Sequence, residues 1–326
     1  MDVRHSRLSG SAAYRLQLLA CLLLLSVSLT GSTAKAQTKG SRGPATATRA
    51  TGTLKIITGQ PGSVVFINGV RHGSTNESGE LDLPRVPAGS HPVRVRTVGY
   101  IDGKASVVVA PGASRTLRVT QQPTADEATI HYQKGDALRD KGKNKDAVEE
   151  YKQALALHNS PETRIAMARS LITLQDFQGA EMQIQSAIKA GGATLTEAQT
   201  VLANLRRNQG LVDESIVEYR KALRLARGNS FEAHIGLAIA LNETVESGSN
   251  PRLIDEIARE YRTGIAQDME TEPILYYQLG EILEKANRAR EAIQAYRNYL
   301  RLDPEGEYAS AAESIIERLK EENKIR

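Results

Sequence analysis

From Ala147 onward the chain repeats one arrangement of side chains: a small or apolar residue, a bulky one four positions on, and usually a small one three later. It reads Ala147, Tyr151, Ala154; Ala180, Ile184, Ala187; Ser215, Tyr219, Ala222; Ile257, Tyr261, Gly264; and Ala292, Tyr296, Tyr299. Offsets of four and three place all three members on one face of an α-helix, where small residues admit a neighbouring helix and the bulky one fills the gap beside it. The first members lie 33, 35, 42 and 35 residues apart. In four of the five units a small residue also sits twelve positions before the triplet, at Gly135, Ala168, Ala203 and Gly280, and three of these are followed by Leu138, Leu171 and Leu283. Such a period predicts a solenoid of helix pairs, each pair too small to bury its apolar face alone.

These residues resemble the tetratricopeptide (TPR) family over roughly residues 126–326. The fifth unit carries Tyr276, Leu279, Gly280, Leu283, Ala292, Tyr296 and Pro304 at the family's spacing. The fourth departs from it: its first helix, expected around Phe231 to Asn242, is separated from its second by Glu243 to Pro251, about seven residues more than the neighbouring units allow. Beyond the repeats, Tyr308 to Lys324 places Ala311, Ile315, Ile316 and Leu319 on one side and charges on the other, which suits a capping helix at the open end of a solenoid. The expected division is about five helix pairs over 126–306 and a cap over 307–326.

Upstream the period changes from helical to two-residue. Leu54 to Thr58 ends at Gly59-Gln60-Pro61-Gly62, Val64 to Ile67 meets the hairpin dipeptide Asn68-Gly69, Val93 to Arg96 alternates, Ala105 to Val109 ends at Pro111-Gly112, and Leu117 to Val119 closes the set. Short strands at this density predict a small all-β sandwich over 51–121. Its segments resemble the PEGA domain: Pro61-Gly62-Ser63 before Val65-Phe66-Ile67-Asn68-Gly69, then Pro87-Ala88-Gly89-Ser90-His91 with Val93 and Val95, then Gly99-Tyr100. The family's Pro-Glu-Gly-Ala is degenerate here, while the order and spacing hold. The resemblance implies a fold and a place outside the cytoplasm more than any one activity. The change of period near Pro123 to Asp126 predicts two units that fold independently.

The first 36 residues read as a secretory signal peptide: Arg4, Arg7 and Arg15 precede a leucine-rich run from Leu18 to Leu29, and Ala34-Lys35-Ala36 offers small residues for cleavage before Gln37. The apolar run is short for a membrane span, and retention as an uncleaved anchor is the alternative. Cys21 opens the apolar run instead of following it, as a lipoprotein cysteine would, and is read as signal-peptide filler. It is the chain's one cysteine, so the mature chain has no disulfide framework, thiolate zinc site or cysteine nucleophile. Residues 37–50, built from Thr, Ala, Gly, Ser and Pro with three basic residues, read as a flexible tether.

Charge divides at the same boundary. Residues 37–121 carry 11 basic and 4 acidic side chains, or +7, and residues 122–326 carry 27 and 33, or −6. Arg94, Arg96, Arg115 and Arg118 read first as solvated strand faces, and the alternative is that the basic sandwich and tether attract an anionic envelope surface such as phospholipid headgroups or acidic glycan. Export and the scarcity of aromatic residues, 4% of the chain, argue against nucleic acid. The five histidines after residue 36 have no metal-ligand spacing such as HExxH, and GxSxG, GxxxxGK[ST] and GxGxxG do not occur. The sequence therefore points to a chain that is not an enzyme and holds no cofactor or metal.

Carried onto this chain, the TPR resemblance implies groove-facing side chains on the first helix of each unit: Tyr132, Asp136 and Arg139; Ile165, Arg169 and Ile172; Asn204, Arg207 and Asn208; Ile235, Ile239 and Asn242; Tyr277, Glu281 and Lys285. This mix suits an extended peptide or another protein's helix. It lacks the complete Lys/Asn/Arg set with which some members clamp a terminal carboxylate. Partners that bind the sandwich or the convex face are the alternative. The expected function is a non-enzymatic protein-interaction scaffold or adaptor in the bacterial cell envelope, periplasmic or on the outer surface. A wall- or glycan-associated structural module and an accessory subunit of an envelope enzyme complex are the other readings. N-terminal sequencing of the exported protein should give a chain starting at or near Gln37; an intact Met1 or a lipid-modified Cys21 would contradict the signal-peptide reading.

Overall fold

The computed structural model describes residues 50–245, 250–268 and 272–325. The expected signal segment and all but Ala50 of the expected tether lie outside the described residues, as do residues 246–249 of the long connection. Seven strands come first: β1 (Thr51–Ile57), β2 (Val64–Ile67), β3 (Val70–Ser74), β4 (Glu80–Pro87), β5 (Gly89–Arg96), β6 (Gly103–Val109) and β7 (Ser114–Arg118). One sheet has the order β4-β1-β7, with β4 antiparallel and β7 parallel to β1, and the other the antiparallel order β3-β2-β5-β6. Alternate residues of both sheets, among them Leu54, Ile56, Val65, Ile67, Val93, Val95, Val107 and Val109, meet in one apolar layer, as the two-residue period requires. Asn68 and Gly69 close the β2–β3 hairpin with φ of 54° and 84°, a positive pair that suits the twist of the strands they join.

Strand β4 has no counterpart in the expected set. It contains Pro84 and Pro87, and a proline cannot donate to a ladder, so its hydrophobic signal is broken. The strand is tolerated because it is an edge that pairs with β1 alone.

Eleven α-helices follow among the described residues: α1 (Glu127–Asp140), α2 (Asn144–Leu157), α3 (Pro161–Thr173), α4 (Phe177–Ala190), α5 (Leu195–Asn208), α6 (Val212–Leu225), α7 (Phe231–Glu243), α8 (Pro251–Asp268), α9 (Ile274–Lys285), α10 (Ala289–Leu302) and α11 (Ala309–Asn323). Asp126, Ser160, Asp176 and Ser230 cap α1, α3, α4 and α7, each side chain accepting from the third helical backbone N–H. Every helix packs on the next, and α1, α3, α5 and α7 also touch in series, which makes one layer of first helices and one of second helices. No helix among the described residues is long and apolar enough to cross a membrane.

The repeated triplet is the core. Tyr151, Ile184, Tyr219, Tyr261 and Tyr296 are all 0–2% exposed. Small residues receive them: a Cβ on Gly135 would lie 2.5 Å from the Tyr151 ring, and one on Gly280 would lie 2.7 Å from that of Tyr296. Gly236 likewise admits Tyr219 of the preceding unit, where a Cβ would come within 2.3 Å. In α11 the buried side chains are Ala312, Ile316 and Leu319; Ala311, expected on the apolar side, is exposed, and Ala312 takes its place.

Replacing a helical glycine by alanine ordinarily stabilises by about 1 kcal/mol. Gly280→Ala should instead destabilise by about 1–3 kcal/mol, because the added methyl meets a ring that is wholly buried and has nowhere to move. A lower urea midpoint at unchanged m-value is the expected result, and a raised midpoint would show that the notch is not closed.

Candidate functional site

The layer of first helices is the surface on which partner-binding side chains were expected. Each of these helices packs against the second helix of its unit, and α1, α3, α5 and α7 also pack against one another, which narrows the strip that they leave open. Ile165, Ile172 and Ile235, expected on that strip, are 1%, 9% and 8% exposed and belong to the core. Ile235 lies against Gly264, where a Cβ would be 2.4 Å from its Cδ1. Tyr277 is 9% exposed and sits among the rings of Tyr296, Tyr299 and Tyr308, with centroids 5.2, 5.6 and 4.8 Å away. The open strip is polar because apolar side chains on a helix packed from two sides turn inward.

What remains on the strip is tied together. Tyr151 donates to Asp136 at 2.7 Å, Arg139 donates to the Tyr151 hydroxyl at 3.2 Å, and Arg139 pairs with Asp136 at 3.0 Å. Two units on, Arg169 of α3 grips Glu232 of α7 through both guanidinium nitrogens at 2.5 and 2.8 Å, passing over α5, where Asn204 donates to the same carboxylate at 2.8 Å. Tyr219 donates in turn to Asn204. Arg169 also reaches Glu197 at 3.3 Å, and Arg207 pairs with Glu243 at 3.1 Å. Burial opposes ionisation of Glu232, yet Arg169 beside it holds its carboxyl below the usual range. Asn208 is exposed and donates to the Asn204 carbonyl at 2.8 Å. Asn242 and Ile239 are half-buried; the exposed Lys285 reaches the Asn242 side chain at 3.4 Å, and Glu281 is half-buried one turn before it.

Tyr132 and Asp136 face the sandwich. Arg96 of β5 donates to the Tyr132 hydroxyl at 2.9 Å and to Asp136, lies 4.7 Å from the Tyr132 ring centre, and holds Asp102 at 2.9 Å. Burial, with the Asp136 carboxylate next, pushes the Tyr132 phenol up to about 12. Gln133 adds two main-chain bonds, accepting from Gly99 N–H at 2.9 Å and donating to the Tyr100 carbonyl at 2.7 Å, and Arg71 pairs with Asp140 at 3.3 Å. The connection is itself pinned, with Ile101 N–H on the Gln122 carbonyl and Thr124 N–H on the Gly99 carbonyl at 2.8 and 2.9 Å. A cleft of about 460 Å³ lies where the two parts meet, lined by Arg96, Ile101, Asp102, Tyr132, Gln133 and Glu162.

Sequence reasoning missed Arg96, Asp102, Glu232 and Glu243. Arg169 and Glu232 are 63 residues apart, and Arg96 and Asp136 are 40 apart, so no local spacing links them. The one cue was alternation in β5, which sets Arg94 and Arg96 on the outer face of the sheet.

A PEGA domain profile matches residues 51–124, and tetratricopeptide repeat profiles match residues 132–190 and 274–305. None of these is an enzyme family, and TPR repeats are protein-interaction scaffolds. A search of curated proteins returns no match. Among solved structures, the yeast Tom70 is 15% identical over 62% of this chain and 42% of its own, with a TM-score of 0.51. A Pseudomonas aeruginosa pilF structure is 13% identical over 61% and 85%, with a TM-score of 0.50. The APC/C hetero-tetramer Cut9-Hcn1 is 12% identical over 59% of this chain, with a TM-score of 0.49; this chain spans 36% of that one. At such identities the likeness is one of fold.

Arg96→Ala would remove the cation that Asp102 and Asp136 share, leaving Arg94 to the one and Arg139 to the other, at a cost of about 2 kcal/mol for the lost charged hydrogen bonds. Protease cleavage between residues 119 and 126 should accelerate and the sandwich should melt separately from the helices. A single unchanged transition with unchanged cleavage would show that the clamp does not couple the two parts.

Proposed function

We propose, for a chain that carries a PEGA domain followed by tetratricopeptide repeats, that it is an exported adaptor of the bacterial cell envelope that holds a protein or peptide along its layer of first helices. What supports this reading is the series of first helices α1, α3, α5 and α7, which touch in turn, with the sandwich clamped against the N-terminal one. An extended segment lying there meets charged and amide groups in succession, and the cleft beside Tyr132 would bring it against both domains. Export is supported by the leucine-rich segment after Arg15 and by the usual extracytoplasmic setting of PEGA domains. The divisions at 36/37, 50/51, 121/126 and 306/307 belong to the same proposal.

A second reading is favoured by one feature of the sandwich. The cross-strand register sets Arg71, Phe66, Arg94 and Lys104 side by side on the outer face of the four-stranded sheet, with the Arg94 guanidinium 3.9 Å from the Phe66 ring centre. Such a row suits phospholipid headgroups or acidic glycan.

Site-specific photo-crosslinking in envelope extracts separates the two. A benzophenone side chain at Asn208, on the first-helix strip, should give a discrete protein adduct, whereas one at the 60% exposed Met182 of the second-helix layer should not. Adducts from Met182 alone would move the site to the convex face. Adducts from Lys104 alone would favour the sandwich reading.

A further inference from the structure

Two cations stand directly opposite each other on the outer face of the four-stranded sheet. Arg94 of β5 and Lys104 of β6 are cross-strand partners, and Phe66 of β2 is opposite Arg94 on its other side. Like charges so placed repel. Asp102 offsets part of this by accepting from Arg94 at 3.1 Å, but it also accepts from Arg96 at 2.9 Å, so the charge left over is positive. Lys104 is exposed and has no ion pair or hydrogen bond among the described residues. The pairing of Arg94 with Lys104 is a cost to the sheet that a bound anion would relieve.

Arg94 is already held in place for such a ligand. Its guanidinium carbon lies 3.9 Å from the centre of the Phe66 ring and Asp102 engages its Nη1, while Nε and Nη2 make no hydrogen bond among the described residues. A planar fork with a ring behind it and a carboxylate at one corner loses little freedom on binding. Beside it lies a hollow of about 440 Å³ lined by Phe66, Gly69, Pro92, Arg94, Lys104 and Ser106. That volume is within the range of ~300–1,000 Å³ common for small-ligand sites. Pro92, Lys104 and Ser106 are exposed, and Ser106 is the cross-strand partner of Pro92, so all three open on the same face as Arg94.

We propose that this hollow is a subsite for a hexuronate, a pyranose ring bearing a carboxylate, of an acidic glycan. This rests on the sandwich reading above. The carboxylate would lie between Lys104 and the open edge of Arg94, which carry only donors. The apolar C–H face of the sugar would rest on the Pro92 ring beside Phe66, and its hydroxyls would meet Ser106, which both donates and accepts. A bilayer fits less well, because α1 stands against the neighbouring part of the same face, through Asp136 on Arg96 and Asp140 on Arg71, so the hollow lies in an angle between sheet and helix. An extended peptide fits less well because β2 and β5 are each paired on both sides, which leaves no main-chain ladder for it to join.

The test titrates the full chain with trigalacturonate and, as a control, with its methyl ester, the same sugar without the charges. Calorimetry should show the ester binding about tenfold more weakly, as for loss of a charge-assisted hydrogen bond. Lys104→Gln removes no hydrogen bond or ion pair among the described residues and should weaken trigalacturonate about fivefold, as for one exposed charged pair. Arg94→Lys keeps the charge but not the planar fork backed by Phe66, and should weaken it as much. Arg115→Gln, the same loss of charge as Lys104→Gln at an exposed position of β7 in the other sheet, should leave it unchanged. Circular dichroism of each variant reports folding. Full affinity in Arg94→Lys, or equal loss in Arg115→Gln and Lys104→Gln, would overturn the subsite by showing a diffuse basic field. Equal binding of tetraglutamate would overturn it in favour of an acidic peptide. If trigalacturonate fails but vesicles of phosphatidylglycerol and phosphatidylcholine bind, the subsite has failed and the sandwich reading stands; if neither binds, both have failed.

Discussion

Burial of one tyrosine or isoleucine per helix pair, in a notch left by a glycine or alanine on the facing helix, is the constraint on which the solenoid depends. The ring is large enough to fill the space between two helices, and the small residue is what lets them approach. Where the notch is glycine, at Gly135, Gly236 and Gly280, even a methyl group would overlap the ring. No pair is stable alone, so the notch also sets the spacing at which successive pairs stack.

The same tyrosines connect the core to the polar surface of the first helices. A phenol buried by its ring must still place its hydroxyl, and in this fold the hydroxyl emerges on the layer of first helices. Asp136 and Asn204 accept there and become fixed points for further bonds: Asp136 for Arg96 and Arg139, Asn204 for Glu232 and through it Arg169. The surface polar network is thus anchored in the packing beneath it. At the N-terminal end it does a second job, because Arg96 comes from the sandwich. The boundary near Pro123, which a change of period marks as a join between independent units, is bridged by Arg96, Gln133 and Arg71, with the connecting chain hydrogen-bonded on both sides.

The interruption in the fourth unit has a visible consequence. With Ile239 where Asp136 and Asn204 stand in the first and third units, that position offers Tyr261 no side-chain acceptor of the kind that Tyr151 and Tyr219 use. Departures from a repeat are informative for this reason: the repeat states what each position normally satisfies, and a substitution shows what has been left open.

The helix pairs, their order, the small-large notches and most strands were legible in the sequence, because each is encoded by residues within about one turn or one hairpin of each other. Asn68-Gly69 announces its hairpin, and Gly280 with Tyr296 announces its pair. Strand β4 was not legible, since an edge strand with two prolines owes its place to β1 and not to its own pattern. The open surface was only partly so. Repeat position assigns Ile165, Ile172 and Ile235 to the groove, but all three are buried, Ile235 against Gly264 of the second helix of its own unit, a fact of packing between helices. Arg96 on Tyr132, and Arg169 on Glu232, join residues 36 and 63 positions apart, and only the folded chain decides which charges meet. Periodicity determines which side of an element is apolar; which polar groups on the other side are already satisfied, and which are left for a partner, is a property of distances across the fold.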